Sequence, residues 1–137
     1  MKEKSLDWLR LAVDDFGMAE LLLERRERYA GGAAYHMQQS AEKAFKAYLV
    51  FHAAVVPKVH DLNILVKRCC CMSQDFELVE QQASRLDPFS IKTRYPDDVD
   101  FVLSYEEALE LLDDAAEILK FVEKKIKSDT ESNMNIF

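Results

Sequence analysis

Glycine and proline are scarce, with three of each in 137 residues, and two of the glycines are adjacent at Gly31 and Gly32. An all-β domain needs many tight turns built from these residues, so such a fold is excluded and helices are the default. Long apolar runs are missing as well. No stretch of roughly 18 apolar residues occurs, which rules out a membrane-spanning helix of the usual kind. The opening MKEKSLDWLRLAVDDF carries acids inside its apolar stretch, unlike a signal peptide.

Positive charge is also in short supply: 18 basic side chains stand against 25 acidic ones, for a formal net charge of −7. A general nucleic-acid binder displaces counterions with a positive surface, so this balance disfavours one and leaves room only for a local basic patch. The only cysteines are consecutive, Cys69, Cys70 and Cys71. Neighbours on a helix point about 100° apart, whereas metal ligands must converge on one point. Neither a metal, a disulfide nor any other cofactor is expected. The three thiols read as one buried and two incidental cysteines in a reducing, cytoplasmic setting.

What remains is a composition of 49% hydrophobic and 31% charged residues, which is globular and long enough for one core. Residues about 5–29 read as a first helix, with Leu6, Leu9, Val13, Phe16 and Leu23 on one face beside Ala12 and Ala19, and Gly31-Gly32 as its terminator. A second helix, about 33–54, has an apolar arc of Met37, Ala41, Ala44, Phe45, Tyr48, Leu49 and His52. Its other side mixes His36, Gln39, Ser40, Lys43 and Lys46 with Ala47, Val50 and Ala54, so this helix is central or has a face in an oligomer.

After Pro57, His60 or Asp61 starts a third helix carrying Leu62, Leu65, Val66 and Cys69. A fourth spans about 75–86, with Phe76, Val79, Ala83 and Leu86 at spacings of three and four. Residues 88–103 hold two of the three prolines and no helical period, and a loop of about 15 residues in a compact domain points to function. Ser104 and Glu107 form a capping box for a fifth helix, striped by Tyr105, Ala108, Leu109, Leu112, Ala115, Ala116, Leu119, Val122 and Ile126. The expected fold is all-α, an up-and-down antiparallel bundle of about five helices over 1–127, followed by a polar, disordered tail at 128–137.

Three segments in order resemble the HEPN family. MQQSAEKAFKAYLVF (37–51) is similar to its second-helix signature, PKVHDLNILV (57–66) to its His-Asp-Leu helix start, and TRYPDD (93–98) to its Arg-Tyr-Pro loop. The resemblance implies a symmetric homodimer and, for many members, a minimal nucleotidyltransferase partner in a toxin–antitoxin pair. Some members are metal-independent RNases; others are non-catalytic and bind nucleotides.

The RNase members resemble one another in an arginine followed, after four to six intervening residues, by a histidine. Arginine holds the scissile phosphate and histidine moves a proton near neutral pH. Here the histidines are His36, His52 and His60, and no arginine stands at 29–31, 45–47 or 53–55. No histidine follows Arg94. The motif is absent, and Tyr95 or Asp97 would need strongly shifted pKa values to replace the histidine.

No catalytic residue is therefore assigned. The ligand-binding candidates are Lys43, Lys46, His60, Arg94 and Tyr95, with a nucleotide or RNA as the ligand and no membrane contact. Each has a structural alternative. His60-Asp61 either lines a phosphate site or caps the third helix, capping being the favoured reading. Arg94 either meets a ligand or pairs with a carboxylate such as Glu42, and Tyr95-Pro96 either contacts ligand or pins the loop. His36 and His52 lie on different faces and form no cluster. The favoured function is a non-catalytic nucleotide- and anion-binding interaction module; the alternative is an RNase toxin with a degenerate site centred on Arg94.

Overall fold

The computed structural model describes residues 2–90 and 103–135. The described chain is all-α: α1 Lys2–Arg25, α2 Ala30–Phe51, α3 Leu62–Met72, α4 Glu80–Leu86 and α5 Tyr105–Asn135, with 3-10 turns at Glu27–Tyr29, Gln74–Val79 and Asp87–Ser90. None of these helices is long and apolar enough to cross a membrane.

Small residues set the α1–α2 contact. The buried stripe of α1 is Ser5, Ala12, Asp15, Ala19 and Leu23, and its apolar members share one core with Ala33, Ala41, Ala44 and Ala47 of α2. Short side chains let the backbones come close enough for hydroxyls to reach across. The Ser5 hydroxyl donates to the Ala47 carbonyl and the Ser40 hydroxyl to the Ala12 carbonyl, each at 2.8 Å. As one residue number rises its partner's falls, so the two helices are antiparallel. This close approach also turns α1 away from the face its larger apolar residues suggest: Leu6 and Val13, expected inside, are 52% and 46% exposed.

The connection differs from expectation too. Arg26 breaks α1 with extended backbone, φ −161° and ψ 138°. Gly31 and Gly32, expected to terminate α1, instead lie in the first turn of α2. Neither has a positive φ, so the left-handed cap that would require glycine is not formed.

Helix α2 is buried over most of its girth, in keeping with its two-sided apolar pattern. At its end the Ala53 N–H donates to the Val50 carbonyl and the Ala54 N–H to the Leu49 carbonyl. This is a Schellman closure, and it puts Ala53 at φ 56°. The core then stacks Phe76 against Tyr48, Phe121 and Phe45, with ring centroids 4.5, 4.9 and 6.2 Å apart. Phe76 and Val79 sit in the 3-10 turn rather than in α4, so the fourth helix starts later than its period suggests.

Helix α5 begins on the capping box, with the Glu107 N–H donating to Ser104 Oγ at 3.0 Å and the Ser104 N–H to Glu107 Oε1 at 3.4 Å. It runs antiparallel to α4, since Arg85 pairs with Asp114 and Gln82 with Glu117. Its buried face includes Leu111 and Ile118, while Leu109, expected in the stripe, is 40% exposed. Residues 128–135, expected as a disordered tail, continue α5 to Asn135. The carboxylate of Asp129 accounts for the extension, because it is tied back to α2.

Candidate functional site

The least buried part of α2 is a narrow strip on which Gly32 is exposed and His36, Gln39, Lys43 and Val50 are half-buried. Two buried carboxylates lie along it, and each is held by one lysine and one histidine. Asp15, from α1, accepts from the Lys43 ammonium and lies 2.9 Å from His36 Nδ1. Glu42, from α2 itself, accepts from Lys46 Nζ at 3.0 Å and lies 3.0 and 3.1 Å from His60 Nδ1. The two carboxylate side chains are only 4% and 5% exposed. A buried carboxylate is tolerated when it is paired and hydrogen-bonded, and here both are.

The pairing fixes what each histidine presents. An ionised carboxylate can only accept, so Nδ1 carries the proton in both rings. The second nitrogen, Nε2, has no hydrogen-bond partner among the described residues. His60 is the more open of the two, 75% exposed against 26% for His36. Lys43 is partly open, whereas Lys46 is almost covered and its ammonium stands 5.7 Å from the centre of the Trp8 ring. Each lysine has three N–H donors, so neither is used up by its carboxylate. Residues three apart on a helix are surface neighbours, so the Lys43 and Lys46 groups belong to one stretch of the strip.

Of the five expected ligand-binding residues, Lys43 lies partly open on this strip, His60 reaches Glu42 from just before α3, and Lys46 lies almost covered beside them. Arg94 and Tyr95 lie outside the described residues. His60 and Asp61, alternatives at the start of α3, have separate jobs: Asp61 Oδ1 accepts from the Asn63 and Ile64 N–H groups and caps the helix, while His60 turns to Glu42. The His60 carbonyl is held in turn by the buried Gln38 amide at 2.9 Å.

The sequence does not single out Asp15 or His36 as site residues, because an aspartate on a helix face ordinarily reads as solvated. The available signal is the spacing of Asp15, three after Ala12 and four before Ala19, which puts it on the packed stripe.

A second polar node lies at the far end of α2. The Tyr48 hydroxyl donates to Asp129 Oδ2 at 2.6 Å and His52 Nε2 lies 2.8 Å from the same oxygen. Lys125 Nζ stands between Asp75, at 3.2 Å, and Asp129, at 3.8 Å. Burial pushes the Tyr48 hydroxyl far above its ordinary pKa, and the Asp129 carboxylate pushes it the same way, so Tyr48 is a donor throughout the working range. A cavity of about 280 Å³ opens beside this node, lined by Tyr48, His52, Met72, Ser73, Lys125, Asp129 and Ser132.

The cysteines carry no chemistry of this kind. Cys69 is buried, Cys70 half-buried and Cys71 exposed, and all three are free. Burial pushes the Cys69 and Cys70 thiols up, away from the reactive thiolate. No group of three or more potential metal ligands occurs among the described residues.

With the geometry in place, comparison with known proteins sets its family. The family model described as the HEPN domain matches residues 5–125. Among curated proteins no significant match exists. The crystal structure of TT1696 from Thermus thermophilus is similar with a TM-score of 0.76 and 30% identity, over 89% of this chain and 98% of that one. That of ST0689, described as an archaeal HEPN homologue, gives 0.71 and 26%, over 89% and 97%. A family model spanning nearly the whole helical bundle, together with these two relatives, places the chain in the HEPN domain family.

Proposed function

We propose that this chain is a non-catalytic HEPN module that binds a phosphate-bearing ligand, a nucleotide, on the α2 strip. It acts in the cytoplasm as a homodimer, beside a minimal nucleotidyltransferase in a toxin–antitoxin-type pair. The observation that carries the binding part is the placing of Lys43 and His60 over buried carboxylates, with a partly open ammonium and an imidazole nitrogen that has no partner among the described residues, while Lys46 lies almost covered behind them. Lysine supplies a point charge to phosphate, and Arg94 of the matched loop would add a two-pronged contact. Support for protein docking comes from the exposed Leu11 and Met18 on α1 beside this strip. A two-fold interface would use that patch twice.

Nucleotide titration tests the binding part. Wild type should bind, and Lys43→Ala or Arg94→Ala should weaken binding by roughly 1.5–3 kcal/mol, the worth of a charged hydrogen bond. No binding by wild type would overturn it. Light scattering should report about twice the 15.8 kDa chain mass, and a monomer at micromolar concentration would remove the dimer. Co-expression with a nucleotidyltransferase encoded in an adjacent reading frame should give a co-purifying complex.

One observation favours the RNase alternative. His60 is oriented by a buried glutamate and its second nitrogen has no partner among the described residues, which is the arrangement a general acid–base histidine needs. RNA cleavage by clean protein, lost in both His60→Ala and Arg94→Ala, would favour it. Absence of cleavage leaves the binding module.

A further inference from the structure

Helix α1 carries more apolar surface on its outer side than a solvated face needs. Leu6, Val13 and Leu21 are 52%, 46% and 52% exposed, on the side away from the buried Ser5, Ala12, Ala19 and Leu23. Gly17 stands among them in the interior of the helix. Glycine is unfavourable there, because it loses more backbone freedom than any other residue and has no side chain to pack. The fold itself offers no compensation. A Cβ added to Gly17 meets no atom within 4 Å, and its φ is not positive. On an open face, a missing side chain lets another backbone come close.

The charges on this face indicate which backbone. At about 100° per residue, the positions seven and four residues to either side of Gly17 fall within roughly 40° of it. They are Arg10 and Glu24, and Val13 and Leu21. Where a second copy of α1 crosses antiparallel, Gly17 on Gly17, each residue meets the one equally far to the other side. Arg10 then faces Glu24 of the second copy, Val13 faces its Leu21, and both pairs occur twice. A two-fold contact requires this self-complementarity. Glu24 has no hydrogen bond or ion pair among the described residues, and Arg10 has only a 3.4 Å contact with Asp7 between two well-exposed side chains. Asp14 and Glu20, the acidic pair three residues to either side, point about 60° to opposite sides of the seam and keep their water.

We propose that the outer face of α1 is a docking surface for a second copy of this chain. The two α1 helices cross antiparallel at Gly17, held by Val13–Leu21 contacts and two reciprocal Arg10–Glu24 ion pairs. This surface is separate from the Leu11 and Met18 patch beside α2, so a chain that uses both two-folds builds assemblies larger than a dimer. Only Leu6, Val13 and Leu21 contribute large exposed side chains, which is little beside a standard interface of about 1,200–2,000 Å². The contact is therefore weak and forms at high protein concentration.

Disulfide trapping tests it, because a two-fold axis at Gly17 brings that residue against its own copy and a single cysteine suffices. The background is the full chain with Cys70→Ser and Cys71→Ser, which leaves only the buried Cys69. Gly17→Cys fits the folded chain, since nothing stands within 4 Å of its Cβ. A disulfide needs Cα atoms about 4.4–6.8 Å apart. Residues held at that distance react as if at high local concentration, so under a mild oxidant Gly17→Cys should cross-link about tenfold or more faster than Leu78→Cys. Leu78 is 72% exposed and lies outside α1. Arg10→Glu and Glu24→Arg, each added to Gly17→Cys, place like charges across the seam and should slow the reaction several-fold. Together they restore opposite charges, and with them the rate.

Cross-linking of Gly17→Cys no faster than that of Leu78→Cys would overturn the proposal and leave a dimer on the Leu11 and Met18 patch untouched. A double reversal no faster than the single ones would overturn it as well. Fast cross-linking in a chain that light scattering finds to stop at the dimer would keep this surface and remove the other. Thermal melting reports that each variant is folded when its rate is read.

Discussion

The Tyr48 hydroxyl donates to the Asp129 carboxylate at 2.6 Å across 81 residues of sequence, joining the end of the central helix to the last turns of α5. His52 approaches the same oxygen, so one carboxylate serves two side chains of α2. Replacing it removes both partners at once. Asp129→Ala should lower the unfolding free energy by about 1–3 kcal/mol, the cost of leaving the buried Tyr48 hydroxyl unsatisfied. Urea unfolding of the variant measures this, and a midpoint equal to that of wild type would show that water replaces the carboxylate at no cost.

The same carboxylate has a signature in acid. Burial alone would raise its pKa, but the Tyr48 and His52 hydrogen bonds and the Lys125 charge outweigh burial and hold Asp129 below the usual carboxylate range. A depressed folded-state pKa contributes stability that is present above the unfolded value of about 3.9 and is lost as pH falls through the folded value. Asp87 has the opposite sign, since burial raises its carboxyl against the Leu62 backbone hydrogen bond. Wild type alone therefore mixes the two. The difference in stability between wild type and Asp129→Asn isolates the first, and it should shrink as pH is lowered from about 5 to 2.

The end of α2 offers a substitution of the other sign. Ala53 sits at φ 56°, where an L side chain is strained and glycine is not. Ala53→Gly should raise stability by up to about 1 kcal/mol, less the extra chain entropy that glycine brings to the unfolded state. A fall in the thermal midpoint would mean that the Ala53 methyl contributes packing that outweighs the backbone strain.

Asp61 and His60 are neighbours with separable roles. Asp61→Ala removes a side-chain cap and should cost about 0.5–2 kcal/mol of stability. His60→Gln, at a position 75% exposed, should change stability by less than about 0.5 kcal/mol. Denaturant unfolding of both variants decides this, and a reversal of the order would put the cap on the wrong residue.

The bundle is legible in the sequence because helix periods and caps are local. Ser104 and Glu107 announce α5 within four residues, and the apolar girth of α2 declares a central helix. The differences arise where distant partners decide. Nothing within a turn of Gly31 reveals that Arg26 breaks the chain first, and Leu6 looks internal until Ser5 and Ala47 bring the helices together. The site follows the same division. Lys43, Lys46 and His60 are visible as motif residues. Asp15 and Glu42, which hold them, read as ordinary helix charges until residues as far as 28 positions away close on them. Asp129 is hidden in a polar stretch whose helicity depends on Tyr48.

The close pairing of α1 with α2 also bears on how the chain acquires its fold. These two helices are separated only by the short turn after Arg26, so their contacts close a small loop and can form early. Helix α5, which covers another side of α2, comes only after α3 and α4 in the chain. During synthesis the α1–α2 hairpin leaves the ribosome with Phe45 and Tyr48 uncovered until Phe76 follows, and Phe76 in turn waits for Phe121 of the last helix. That interval is the aggregation-prone stage of biogenesis, when exposed apolar surface draws chaperones.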